Sequence, residues 1–420
     1  MIQLRTIALA LLLFLPFTFN AQQLQEIPPP YNIKTVSFIQ SGENVYPYFR
    51  LGDNFQLAFD DLFGNEANYY YTLQHCNYDW SPSSQLTVND FLDGFDSQRI
   101  QTYENSFNTL QIYSRYQLSF PNKFTRIKLS GNYMLNILNE EREVVFSRRF
   151  IVYEDQLSVP VQVKRARDMD AIQQKHNLDF AIKSTSLNFQ NPLQNVKVAL
   201  FQNGRFDNAI YNVKPQYTIG NDLIYKYNKE TQFWAGNEYL YFDNKDIRNA
   251  VNNILRITAK DIYETILYTS DARASKGYTY FPDKNGNFMT RNINLSVSNQ
   301  NLESDYTWVF FKLSAPEFYE KKDIYVGGMF NNYAKTDEYR LEYDEKTATF
   351  NKAIMIKQGF NNFMYITADK GGKVDGEHAV DGNYYQTEDD YNIFVYYRQN
   401  GERYDKVIGR GNANSQDIIN

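Results

Sequence analysis

Polar and apolar residues alternate with a period of two along much of the chain, and this alternation predicts strands. In YYYTLQHC (Tyr69 to Cys76), Tyr69, Tyr71, Leu73 and His75 fall on one face, and Tyr70, Thr72, Gln74 and Cys76 on the other. FQLAFDDL (Phe55 to Leu62) precedes it across a turn holding Gly64 and Asn65. In SGNYMLNILNEEREVVFSRRFIVYED (Ser130 to Asp155), two alternating runs flank the polar turn at Asn139 to Arg142, the pattern of a hairpin. Residues 30–155 therefore read as one sandwich of the immunoglobulin-like kind.

The same grammar recurs twice. Over 156–275, VPVQVKR and LDFAIKS are strand-like, and VKVALFQNGRFDNAI carries an Asn203-Gly204 hairpin signal. In NKDIRNAVNNILRIT the near-helical spacing of Ile247, Val251, Ile254 and Leu255 predicts a short helix. The Gly-, Asn- and Asp-rich KGYTYFPDKNGNFMTRN (Lys276 to Asn292) reads as a connection. IYVGGMFNNY, FNKAIMIKQGFNNFMYIT and DYNIFVYYR then outline a third β-domain over 295–408, and the polar GRGNANSQDIIN reads as a frayed tail. The expected fold is all-β, with three consecutive immunoglobulin-like or early-set β-sandwich domains.

Composition adds a compartment. Arg5 precedes the apolar run Ile7 to Phe19, and Ala21 stands before Gln22, so residues 1–21 read as a cleaved secretory signal peptide. No later run approaches the roughly 20 apolar residues of a membrane helix, so no direct membrane insertion is expected. A formal charge of -6 with scattered cations argues against nucleic acid as a partner. One cysteine cannot close an intramolecular disulfide, so stability must come from packing. The 35 Tyr and 31 Phe beside a mean hydropathy of -0.58 favour pleated, half-buried surfaces and so point to an all-β protein.

The chemically suggestive stretch is LQHCNYDW (Leu73 to Trp80), where His75 and Cys76 adjoin and Asp79 and Trp80 follow. Neighbours on a strand point to opposite faces, which denies Cys76 a base in His75. With His176 and His378 far off in sequence, no zinc set forms, and no metal is expected. DKNGN (Asp283 to Asn287) resembles the start of a calcium loop, but Asn294 stands where the bidentate Glu belongs, so it reads as a turn. EDD (Glu388 to Asp390) reads as a solvated loop, and Gly327-Gly328 lacks the Lys and Ser/Thr of a phosphate loop. No catalytic residue, cofactor or small-molecule substrate is assigned. His75, Cys76, Asp79 and Trp80 are the candidate interface or structural motif: Asp79 is expected to cap amides, Pro82 to fix the turn, and Trp80 to anchor the loop or reach a partner.

YVGGMFNNY and the later KQGFNNFMYI resemble early-set modules that bind starch or glycogen, with Tyr333 where the sugar-stacking Trp would stand. An alternative reading is thus a periplasmic carbohydrate-binding accessory protein acting through its C-terminal domain. More specifically, LQHCNYDWSPSSQL, DFLDGF (Asp90 to Phe95), NSFNTLQIYSRYQLSFPN (Asn105 to Asn122) and SGNYML (Ser130 to Leu135) occur in the order that resembles the plug protein of the type IX secretion system of Bacteroidota. The resemblance implies a non-enzymatic periplasmic protein that docks on the giant outer-membrane β-barrel translocon and closes its periplasmic mouth when no substrate is in transit.

Overall fold

A computed structural model describes residues 23–95, 97–185, 187–294 and 298–418. The signal peptide expected over 1–21 and the last two residues of the tail lie outside the described residues. The fold is all-β, in sandwich layers. No helix among the described residues is long and apolar enough to cross a membrane.

The first sandwich joins two five-stranded sheets. One runs Glu43–Asn44, Ile33–Gln40, Phe55–Asp61, Ser114–Phe120 and Thr102–Asn105; the other runs Tyr48–Arg50, Val144–Tyr153, Gly131–Leu138, Tyr70–Cys76 and Gln98–Arg99. Alternate residues of both sheets meet in a core drawn from Ile33 to Val152. The hairpin of Gly131–Leu138 with Val144–Tyr153 forms across the Asn139 turn.

The second core takes residues from Val159 to Phe233 and then again from Tyr391 to Ile408. Its two sheets are Val161–Arg165, Lys175–Ile182, Asp222–Tyr225 and Tyr217–Ile219, and Ile210–Tyr211, Val196–Gln202, Asp390–Tyr397 and Lys406–Asn414. The expected bounds of the second and third domains are corrected by this pairing. Val196–Gln202 lacks a partner on one edge until Asp390–Tyr397 fills it, from Val196↔Tyr397 to Gln202↔Tyr391. The expected frayed tail is corrected too: Lys406–Asn414 pairs with Asp390–Tyr397, and a 3-10 turn follows at Ser415–Asp417.

The third core, from Phe242 to Val380, is set between those two parts of the second. The chain passes from one of its sheets to the other where Thr349–Lys357 ends and Gly359–Ala368 begins. Gly359 has φ +144, and a Cβ there would lie 2.0 Å from the Met289 carbonyl oxygen, so glycine is required. The helix expected around Ile247 to Leu255 is absent. Asn-rich residues turn there, Asn252 is left-handed at φ 52, and Ile254–Ala259 pairs with Tyr263–Leu267 as a strand. Ladder partners override a weak helical period. The Lys276 to Asn292 stretch is not free connection throughout, since Phe288–Thr290 adds to the edge of Gly359–Ala368.

The aromatic excess is spent chiefly inside. Phe63 and Phe107 stand among the exposed aromatics, while nine of the twelve largest fully buried side chains are tyrosines. Many of their hydroxyls find acceptors: Tyr133 donates to the Leu129 carbonyl at 2.7 Å and Tyr116 to that of Ala67 at 2.7 Å. Tyrosine fills volume as phenylalanine does while satisfying a buried polar group.

Candidate functional site

The strand Tyr70–Cys76 pairs with Gly131–Leu138 and sends its last two side chains to opposite faces. His75 enters the first sandwich. Its Nε2 lies 3.2 Å from the Ser130 carbonyl and its Nδ1 2.8 Å from Ser83 Oγ. A carbonyl can only accept, so Nε2 carries the hydrogen and Nδ1 accepts from the Ser83 hydroxyl. Gly131 makes room for the ring: a Cβ there would meet Nε2 at 2.2 Å. Burial pulls the His75 pKa down to about 4.

Cys76 faces the other way, fully buried, with Sγ 3.7 Å from the Gln74 carbonyl. Burial pushes its thiol up to about 12, which leaves almost no thiolate at neutral pH. The structure thus separates the adjacent pair, as alternation requires.

Beyond the strand the chain turns sharply. Asp79 Oδ1 accepts from the Ser81 amide at 3.0 Å and hydroxyl at 2.6 Å. Trp80, left-handed at φ 65, closes the turn with its amide on the Asn77 carbonyl at 3.0 Å. Its indole does not stand at an exposed tip. It is 3 % exposed, meets Phe206 edge-on at 5.4 Å, donates from Nε1 to the Tyr211 hydroxyl at 3.2 Å, and carries the Arg149 guanidinium 4.6 Å over its face. Phe206 and Tyr211 belong to the second sandwich, so Trp80 bridges two sandwiches.

Further contacts make the loop a clamp. Arg398, next to the last-sheet strand, donates to Asn77 Oδ1 at 2.5 Å and to Asp405 Oδ1 at 3.0 Å, while the Tyr78 amide reaches Asp405 Oδ2 at 3.1 Å. Asn132 holds the Asn77 and Tyr78 carbonyls through Nδ2 and receives the Tyr396 hydroxyl at 2.8 Å. Tyr48, Cys76, Trp80, Met134 and Ile151 share one apolar cluster with Phe201, Phe394, Tyr396 and Val407.

A second junction joins the first sandwich to the third. Asp60 Oδ1 receives Arg115 Nη1 at 2.8 Å; its Oδ2 receives Lys357 Nζ at 2.5 Å and the Tyr306 hydroxyl at 2.8 Å. Arg115 and Asp60 come from the first sandwich, Lys357 and Tyr306 from the third, and all are buried. Sequence reasoning missed this group. Its available signal was a charge at the end of an apolar run, in LAFDD and AIMIK.

Other expectations resolve plainly. EDD is corrected from a solvated loop: Asp389 is buried and accepts from Asn203 Nδ2 at 2.6 Å and Gln202 Nε2 at 3.0 Å. At DKNGN, Asp283 accepts from the Asn285 amide at 2.6 Å and the Tyr239 amide at 2.5 Å, which makes a turn. Among the described residues no cluster of three or more His, Cys, Asp or Glu is arranged to hold a metal. Tyr333 is buried, bonded to the Tyr239 hydroxyl at 3.1 Å and covered by Arg205, so its ring offers no stacking face to a sugar.

The state of His75 gives a pH test. With a folded pKa near 4 against an ordinary 6.5, the folded ring stays neutral while the unfolded one takes a proton. Its contribution is full above pH 6.5 and is lost as pH falls toward 4, by roughly 3 kcal/mol. Urea midpoints from pH 7 to 4 should fall more steeply for the native chain than for His75→Gln; equal slopes would show that the ring does not titrate in this way.

No curated protein matches this chain. A crystal structure of a hypothetical protein from Parabacteroides merdae ATCC 43184, at 2.30 Å resolution, is similar over 94% of this chain and 100% of that one, with 29% identity and a TM-score of 0.87. Residues 33–154, the extent of the first sandwich, match the family model described as Type 9 secretion system plug protein 1st domain. The first sandwich, with the loop that clamps it to the second, is therefore similar over residues 33–154 to the first domain of type 9 secretion system plug proteins.

Proposed function

We propose that the chain is the non-enzymatic periplasmic plug of the type IX secretion system, docking on the outer-membrane β-barrel translocon and sealing its periplasmic opening when no substrate is in transit. The match of residues 33–154 to the plug family carries this reading. The junctions support it physically. A plug has to resist deformation, and three sandwiches tied through Trp80 on one side and Asp60 on the other make a stiffer obstacle than domains on flexible linkers.

Contact with the barrel rim is assigned to two adjoining loops of the first sandwich. Phe63, Phe107, Leu110 and Ile112 are each at least half exposed. Ile112 lies against Gly64, and Gln111 Nε2 donates to the Leu62 carbonyl, which holds the two loops together. The backbone at Phe107, Leu110 and Gln111 is held to Leu302 and Asp305 of the third sandwich, so the exposed side chains stand on a fixed base, which suits a small apolar contact that must be reversible.

The test is co-isolation. A tag after Asn420 should recover a giant β-barrel polypeptide in stoichiometric amount from outer-membrane extracts in mild detergent, and lose it when substrate fills the barrel. Phe107→Asp, exposed and outside every core, should lower that recovery about tenfold with an unchanged Tm. A chain that comes out alone would overturn the plug reading. Full recovery by Phe107→Asp would move the contact elsewhere.

A further inference from the structure

The strand Val144–Tyr153 is flanked on one side by Gly131–Leu138 and on the other by Tyr48–Arg50, which reaches no further than Ile151. The edge at Ser147 to Arg149 is consequently open to strand addition. A short N-terminal strap occupies it. The Ile27 carbonyl accepts from the Ser147 amide at 2.9 Å, the Glu26 carboxylate accepts from the Arg149 amide at 2.6 Å, and the Leu24 amide reaches the Trp80 carbonyl at 3.0 Å.

This strap fills its groove poorly. Ile27 is its single backbone acceptor for the edge amides, and Pro28, Pro29 and Pro30 follow with no amide to donate. A cavity of about 270 Å³ lies along Glu26 to Pro29 on one side. Another of about 570 Å³ lies along Gln23 to Glu26 on the other. Beneath it Arg148 is buried, with Nη1 on the Val36 carbonyl and Nη2 on Asn332 Oδ1, each at 3.2 Å, while Nε lacks a hydrogen-bond partner among the described residues; its nearest anion is Glu26 at 3.7 Å. That one carboxylate also serves the Arg149 amide and Asn332 Nδ2, the latter at 2.7 Å. The strap thus meets the Ser147 amide with a carbonyl but the Arg149 amide only through the Glu26 side chain, and it leaves Arg148 Nε without a hydrogen-bond partner among the described residues.

The geometry points to an exchangeable strand-acceptor site: the strap is a placeholder, and the groove takes an extended segment of a partner protein with an acidic side chain in the place of Glu26. Addition of a strand to an exposed edge supplies affinity through the main chain, and the arginine cleft supplies selectivity for the acid. The inference stands apart from the plug reading, since its test contains no translocon.

The probe is a fluorescent peptide of the strap sequence QLQEIPPPY. A chain lacking residues 23–29 should bind it at least about tenfold more tightly than the full chain does, because the groove is vacant. The peptide with Gln for Glu should bind about tenfold more weakly, because the buried guanidinium loses its nearest counter-charge. If the shortened chain does not fold, the full chain with Glu26→Gln decides, since its loosened strap should admit the peptide more readily than the native one. Equal binding by native and altered chains, or indifference to the peptide's acid, would overturn the exchangeable site.

Discussion

Replacing Asp60 by asparagine is expected to cost about 3–5 kcal/mol of stability, the usual consequence of stranding buried charge. The carboxylate serves Arg115, Lys357 and Tyr306 together, and an amide would leave two buried cations without a counter-charge. Burial pushes the Asp60 carboxyl up, but Lys357 and Arg115 outweigh it and hold its pKa below the ordinary value. For Lys357 the balance goes the other way: burial pulls it down to about 7 against the attraction of Asp60. Lys357→Met should therefore be much milder, about 1 kcal/mol, because it removes an ammonium the site barely holds and leaves Asp60 paired with Arg115. Urea denaturation at pH 7 measures both. Equal costs would mean that Asp60 is not the centre of the group.

Trp80→Ala is expected to destabilise by about 3–5 kcal/mol, through the cavity left between two sandwiches. Trp80→Phe keeps most of the packing and removes the indole donor, for a cost of about 1 kcal/mol. Tyr211→Phe should cost a similar amount, and the two should not add, since they break the same 3.2 Å bond across the junction. An alanine variant as stable as the native chain, yet weaker in recovering its partner, would return Trp80 to the role of an external contact.

Local signals in the sequence were readable where the chain pairs with its near neighbours. The hairpin around Asn139 and the split of His75 from Cys76 follow from turn chemistry and alternation within a few residues. Trp80 was legible as an anchor, but the surface it anchors to comes from Phe206 and Tyr211, which no local pattern announces. Asp60 and Lys357 stand 297 positions apart, and each alone looks like an ordinary strand-end charge. EDD misled for the same reason: its acids are polar in sequence, and Gln202 and Asn203, which donate to Asp389, are distant in sequence. The Ile247 to Leu255 spacing misled differently, because four apolar residues in an Asn-rich stretch match a helical period without the propensity to sustain it.

The return of Asp390–Tyr397 to Val196–Gln202 has a kinetic consequence. Val198 waits for Val395, about 200 residues later, and such non-local closure is slow. A chain that folds as it emerges N-terminus first can finish the first sandwich early and the third next. The second stays open, its sheet missing two strands, until the final hairpin arrives. The second sandwich consequently closes last, and any chain cut short before Asp390 exposes an unpaired apolar edge for proteases to find.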